Sequence, residues 1–377
     1  MNYFEESLKM HAKAQGKIET KSKVQLENQD DLSTAYSPGV AQPCKEIAQD
    51  PEKMYDYTIK QNTVAVISDG SAVLGLGNIG SKASMPVMEG KSILFKEFGG
   101  VNSFPIIVDT QDDEEFIQTV KNIAGGFGGI NLEDIAAPRC FYIEERLKKE
   151  LDIPVFHDDQ HGTAIVTLAG LINGLKITGK NKEDIKVVIN GLGAAGVAIV
   201  KLLNLYGVKD IIVCDSKGII SSQRQDLNEE KQNILKMTNK EDIHGSLKDA
   251  MVGRDVFVGV SVGNAIDKED IKSMNPDPMI FAMANPIPEI MPQDAKQAGA
   301  KIIATGRSDY PNQLNNVLVF PGVFKGALAN RVNDITDQMK INAATGLANH
   351  IENPNPDYIV PSPLDKTVAD TIAKYIV

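Results

Sequence analysis

The sequence predicts an α/β protein in two parts. A mixed α/β N-terminal domain is expected over residues 1–160, and a doubly wound parallel-sheet domain with closing helices over 161–377. Three observations predict this. A chain of 377 residues exceeds what one hydrophobic core ordinarily serves. After residue 161, short apolar strand patterns alternate with helical ones, the rhythm of a parallel sheet covered on both faces. Between the halves lies Val155-Phe156-His157-Asp158-Asp159-Gln160-His161-Gly162-Thr163-Ala164, where two adjacent aspartates meet a turn. Like charges that close repel unless a cation or a proton sits between them. The junction therefore reads as a metal site, an acid/base site, or both. Taken alone, the pair reads first as a solvated turn capping the next helix, and the rest of the chain reverses that order.

In the first half, Phe4, Leu8, His11 and Ala12 fall at helical spacing. Pro38-Gly39 marks a turn just after Tyr36. Residues 50–60 suit a short helix, and Thr63–Ser68 a buried strand. Gly75, Gly77 and Gly80 then match G-x-G-x-x-G. The strand before them ends several residues too early, and Pro86 and Gly90 predict a poor helix after them. This match therefore reads as a loop that lets another group approach the backbone, not as a dinucleotide fingerprint. Lys91 adjoins Gly90 and precedes an apolar run. A lysine there is ordinarily a surface charge, whereas partial burial would lower its pKa and make it a base; the sequence leaves both open. Phe104–Asp109 reads as a strand, and 112–124 as an amphipathic helix with an acidic first turn. Gly125–Gly129 ends it, and Glu133-Asp134 follows as a second carboxylate pair. Residues 142–150 are helical, and Ile153–Phe156 runs extended into the aspartates.

In the second half, Thr163–Leu175 reads as a strongly apolar helix. The strand Ile185–Asn190 abuts Gly191-Leu192-Gly193-Ala194-Ala195-Gly196. A helix follows from Val197 to Leu205, and a strand, Ile211–Asp215, ends in an acid. Every context of the Rossmann-type dinucleotide fingerprint holds here. Gly191 permits the tight turn. Gly193 lets a pyrophosphate reach the N–H groups of Ala194, Ala195 and Gly196 at the helix N-terminus. Strands at 255–260, 279–284 and 301–305, with short helices at 267 and 292–297, continue the rhythm, and helices within 323–350 and 364–376 close it. Ligands on such sheets bind at the carboxyl ends of strands, where Asn285 stands. Asn316 lies in an amide-rich stretch before an apolar run.

Composition narrows the class. The 42% hydrophobic and 24% charged fractions are those of a soluble globular protein. A net charge of −11 without any basic run argues against nucleic-acid binding. No apolar run is long enough to span a bilayer, and residues 1–23 are charged, without a hydrophobic signal core. Cys44, Cys140 and Cys214 are widely separated, as free thiols in a reducing compartment would be. A cytoplasmic protein with no membrane partner is expected.

Two carboxylate pairs, Glu133-Asp134 and Asp158-Asp159, are hard oxygen ligands without clustered cysteine, which suits Mg²⁺ or Mn²⁺. His157 and His161, four apart, are similar to the zinc pattern H-E-x-x-H. Asp158 stands at the glutamate position, however, and Pro154 places both histidines at or before the helix start, so zinc ranks below.

Together these residues resemble the malic enzyme family, most of all its short bacterial form. The resemblance runs in order along nearly the whole chain. Ala35 to Val40, Ser68-Asp69-Gly70, Leu74 to Gly77, Glu89-Gly90-Lys91 and Leu132-Glu133-Asp134 carry it in the first half. Phe156 to Ala164, Gly191 to Gly196, Ala284-Asn285-Pro286, Asn315-Asn316-Val317 and Pro321-Gly322 carry it onward. It implies divalent-metal-dependent oxidative decarboxylation of L-malate to pyruvate and CO₂, with reduction of NAD(P). It implies Glu133, Asp134 and Asp159 as ligands of Mg²⁺ or Mn²⁺. Lys91 would take the C2 hydroxyl proton, with Asp158 orienting it, and hydride would pass from C2 to the nicotinamide. The C4 carboxylate would leave as CO₂, and Tyr36 would protonate C3. Asn285 and Asn316 would hold the substrate carboxylates, and Asn285 would also line the cofactor site.

Larger members of the family carry an arginine in the Asp-Gly segment that grips malate. Here Ser71-Ala72-Val73 follows Asp69-Gly70, so the grip must come from elsewhere, such as backbone N–H groups of the 75–80 loop. A malolactic-type decarboxylase that retains its nicotinamide and releases lactate would use the same residues. A nucleotide-sensing relative without catalysis is disfavoured by the presence of Tyr36, Lys91 and all four carboxylates. Asp215 favours NAD, because a carboxylate accepts from the adenosine ribose hydroxyls and repels a 2′-phosphate. Ser216 and Lys217 follow at once and could receive that phosphate, so NADP is possible. A homodimer is the default for a soluble enzyme of this kind.

Overall fold

The computed structural model describes residues 2–377, so Met1, the first residue of the expected N-terminal helical region, lies outside them. Four strands build the first sheet: β1 (Thr63–Ser68), β2 (Asn102–Ile107), β3 (Gly129–Leu132) and β4 (Val155–His157). They lie parallel in the order β2-β1-β3-β4. Ile67 is level with Leu132, and Leu132 with His157. Asp69, Glu133 and Asp158, in or near the positions that follow, therefore leave the sheet at one edge.

The central strand β3 was not expected. Its four residues, Gly-Ile-Asn-Leu, follow a glycine cluster and show no alternation, because all four are buried. The helix Ser81–Leu94 is also unbroken, contrary to expectation, with Pro86 inside it. Proline removes one helix hydrogen bond. Ser84, Met88, Lys91 and Ser92 are buried on this helix, which packs on β1 and β2, and that packing outweighs the loss.

Six strands build the second sheet: β5 (Lys186–Asn190), β6 (Asp210–Asp215), β7 (Gly218–Ile219), β8 (Val256–Gly259), β9 (Met279–Ala282) and β10 (Ile302–Thr305). The order is β10-β9-β8-β5-β6-β7, with only β7 antiparallel to its neighbour. The strand order turns outward on both sides of β5, which opens a crevice at its carboxyl end.

One helix joins the two sheets. It runs from Asp158 to Thr178, beginning five residues before the expected start, directly after β4. The division expected at 160/161 falls inside its first turn. Residues 164–175 of it are buried without exception, packed on the helices Ala194–Tyr206 and Asp337–Asn349. The aspartate pair thus stands on the first turn of a spine locked into the second sheet's helical layer.

The N-terminal arm differs. The expected helix forms over Tyr3–Ala14, but neither it nor the helices Gln29–Ala35 and Ala41–Gln49 bury a residue. Tyr3, Phe4 and Leu8 are 78%, 84% and 75% exposed. No helix of the structure is long and apolar enough to cross a membrane among the described residues.

Candidate active site

Because parallel strands end on one edge, the first sheet delivers its acids to a single point. Glu133 and Asp134 follow β3, and Asp158 and Asp159 follow β4. Glu133, Asp134 and Asp159 offer carboxylate oxygens within 4.8 Å of one another. Asp159 Oδ2 accepts from the Asp134 N–H at 2.8 Å, and Asp134 is held at φ +55°. Lys91 comes from the helix that covers β1 and β2. Its Nζ lies 2.6 Å from Asp158 Oδ2 and 2.8 Å from Glu133 Oε1, and 4.4 Å from the centre of the Phe320 ring.

Four carboxylates thus face one ammonium in a largely buried pocket. Burial raises the pKa of all four, and mutual repulsion adds to it. Asp134 Oδ2 and Asp158 Oδ1 have no hydrogen-bond partner among the described residues. Excess hard anionic oxygen with an orphaned acceptor fits a divalent cation such as Mg²⁺ or Mn²⁺. The zinc alternative loses a ligand, since His161 Nε2 is engaged with Glu144 Oε1 at 2.8 Å.

The expectation that burial alone makes Lys91 a base is corrected by these distances. Burial does act to lower its pKa, but Asp158, Glu133 and Asp159 outweigh it and raise the pKa above the usual lysine value. In this geometry Lys91 is a clasp between two acids.

The second sheet supplies the dinucleotide turn. Gly191 has φ +113°, and a side chain there would meet Val260 O at 2.7 Å. A Cβ at Gly196 would lie 1.9 Å from Gly191 O, so the helix Ala194–Tyr206 can approach its strand only with glycine there. Turn, helix N-terminus and central strand meet at the crevice where a pyrophosphate binds. Family models agree in both halves. The one described as malic enzyme, N-terminal domain, matches residues 15–148, and the one described as malic enzyme, NAD binding domain, matches residues 160–374.

This chain belongs to the malic enzyme family. It is 58% identical, over its whole length and 92% of the relative's, to a bifunctional malic/malolactic enzyme of Bacillus subtilis. It is 56% identical to an NAD-dependent malic enzyme of Geobacillus stearothermophilus, over 96% of this chain and 76% of that one. The solved structure of an NAD-dependent malic enzyme from Thermotoga maritima superposes with a TM-score of 0.96 at 49% identity, covering 98% of each chain.

Other residues expected of a malic enzyme fall in three places. Asn316 borders the carboxylate cluster: a Cβ at Gly162 would lie 3.0 Å from Asn316 Cβ and 1.9 Å from Asp158 Oδ1. Asn285 stands exposed after β9, where its carbonyl lies against Gly75 of the first domain's glycine loop. Tyr36 is not brought to the site. It is 69% exposed on the N-terminal arm, and its hydroxyl bonds to none of the described residues. The 75–80 loop is also less available than expected, since Leu76, Ile79 and Gly80 donate their N–H groups to Val73 O and Gly70 O just before it.

Asp215 is not a free acceptor either. Arg224 holds it through two bonds of 3.0 Å, and Lys231 through one of 2.6 Å, while Lys217 turns to Asp226. Sequence reasoning missed Arg224 and Lys231, which lie in an irregular stretch and a short helix with no signature of their own. It also missed Arg139, which pairs with Asp69 at 2.8 Å and Asp113 at 2.6 Å.

The Gly162 contact yields a prediction. In Gly162→Ala the new methyl must displace the Asp158 carboxylate from Lys91. Displacement by about 1 Å costs on the order of 10²-fold in turnover. Steady-state kcat, set against an unchanged affinity for NAD, measures it. A fully active variant would show that Asp158 need not stand there.

Proposed function

We propose that this chain oxidatively decarboxylates L-malate to pyruvate and CO₂ with reduction of NAD(P), at the cluster around Lys91. The single observation that carries the reading is Lys91 Nζ held within 2.8 Å of both Asp158 and Glu133, beside three carboxylates disposed as metal ligands. Glu133, Asp134 and Asp159 would hold Mg²⁺ or Mn²⁺. When bound, such an ion supplies a Lewis acid for the substrate's C2 oxygen and a positive charge that eases proton loss from Lys91. Lys91 then takes the C2 hydroxyl proton, and Asp158 fixes where its Nζ stands. Asn285 and Asn316 orient the substrate carboxylates from the second sheet's side, and the Gly191–Gly196 turn presents the cofactor.

The test is the absorbance of reduced cofactor with L-malate and Mn²⁺, against NAD and NADP in turn, with product analysis. Pyruvate formed in step with reduced cofactor supports the reading. Lactate without net reduction would support the malolactic reading, an activity that the name of the Bacillus subtilis relative gives beside the malic one.

The arm bears on assembly. A homodimer that covers Tyr3, Phe4 and Leu8 accounts for apolar side chains left uncovered in one copy. In such a dimer Tyr36 would act as proton donor at C3 in the neighbouring copy's site, not in its own. The free thiols Cys44, Cys140 and Cys214 suit the reducing cytoplasm, where we place the enzyme.

For the cofactor we propose NAD over NADP, because Asp215 ends β6, where a carboxylate would crowd a 2′-phosphate. Asp215→Ser should free Arg224 and Lys231. Each of these two cations is worth about 1 kcal/mol, so the ratio of kcat/KM should move toward NADP by about thirtyfold. A wild type preferring NADP, or a ratio that does not move, would show that Asp215 does not set the choice.

A further inference from the structure

Glu144 lies on the helix Arg139–Glu150 and has no part in the chemistry above. It is only 6% exposed. Its carboxylate accepts from three donors, all on the stretch that carries the aspartate pair. They are the His157 N–H at 3.2 Å, Gln160 Nε2 at 3.0 Å and His161 Nε2 at 2.8 and 3.0 Å.

A helix begins with N–H groups that have no partner inside it. At the start of the Asp158–Thr178 helix, His157 occupies the N-cap and makes no side-chain cap bond. Glu144 supplies from a neighbouring helix what the local sequence lacks: an acceptor, and a negative charge at the positive end of the helix dipole. It grips the residue before the aspartates and the two residues after them.

We propose that Glu144 is a positioning residue that fixes the first turn of this helix, so that Asp159 faces Glu133 and Asp134 while Asp158 faces Lys91. The two aspartates are adjacent, so they must point in different directions from one turn, and a small rotation of that turn would spoil both contacts together. The donors around Glu144 come from both sides of the pair, which is what resisting rotation requires. A cavity of about 570 Å³ opens beside Glu144, bordered by His161, Lys148 and Lys340.

The proposal rests on Glu133, Asp134 and Asp159 being metal ligands. It is tested on the full-length protein by calorimetric titration with Mn²⁺ and, separately, with NAD. Glu144→Gln keeps the shape but turns an amide toward the donors. Its affinity for Mn²⁺ should fall tenfold or more, the usual loss when a group supporting a metal ligand is changed, while its affinity for NAD stays at the wild-type value. Unchanged Mn²⁺ affinity overturns the proposal, as does a parallel loss of NAD affinity, which would mark a general structural role. Should Glu144→Gln fail to fold, Glu144→Asp decides on the same readout, because it keeps the charge and withdraws it by one methylene. Wild type that binds no Mn²⁺ would overturn the metal reading itself. Wild type that binds it, with Glu144→Gln binding as tightly, overturns the positioning role alone.

Discussion

Asp159→Ala is expected to abolish malate oxidation and leave dinucleotide binding intact. The residue has two attachments. Its Oδ2 accepts the Asp134 N–H at 2.8 Å, and its carboxylate completes the triad with Glu133 and Asp134. Removing it takes away one of three hard oxygen ligands and frees the backbone turn, at φ +55°, that aims Asp134. Changing a group that only supports a metal ligand costs roughly 10- to 100-fold in metal affinity or activity, and this is a proposed ligand. Turnover should therefore fall beneath detection in Mn²⁺. The NAD site stands on another sheet, around Gly191 and Gly196, and shares no hydrogen bond with Asp159 among the described residues. Calorimetry with NAD and a turnover assay read the two halves separately. Near-normal turnover in Mn²⁺ would sink the assignment of Asp159 as a ligand.

Much of the fold was legible because its signals are local. The strand Lys186–Asn190, the glycine turn and the helix from Ala194 follow one another without interruption, and each glycine has a steric reason visible in the spacing. The acids at 133–134 and 158–159 were legible as pairs, and parallel strands brought them to one edge. The failures share a different cause. Strand β3 is too short to show a period. Pro86 sits in a helix that tertiary packing stabilises against its own sequence. The pKa of Lys91 depends on acids 42 and 67 positions away, and Asp215 on cations that arrive from an irregular stretch and a short helix. Tyr36 lies on an arm whose helices bury no residue, so no core pattern in the sequence marks where it stands.

Lys91→Ala is expected to block hydride transfer, and Tyr36→Phe to impair protonation at C3 while sparing oxaloacetate reduction. Each should cost on the order of 10²-fold or more in its own step, the typical worth of a positioned acid or base. Lys91→Ala carries a second effect. It leaves Asp158 and Glu133 buried without their cation, and breaking a buried pair costs about 3–5 kcal/mol of stability. A melting curve must therefore accompany the kinetics. Lys91→Arg, which keeps the charge, separates lost chemistry from lost folding. The same two variants test where Tyr36 acts. If the arm reaches a second copy, a mixed dimer of Tyr36→Phe and Lys91→Ala contains one site with both groups intact. Two inactive preparations, unfolded and refolded together, should then recover about a quarter of the wild-type sites, as random pairing in a twofold dimer requires. Inactivity of both variants with no recovery on mixing would place Tyr36 in the site of its own chain. Pyruvate formation untouched by Tyr36→Phe would leave Tyr36 as a surface residue of the arm, with the proton for C3 supplied by another group.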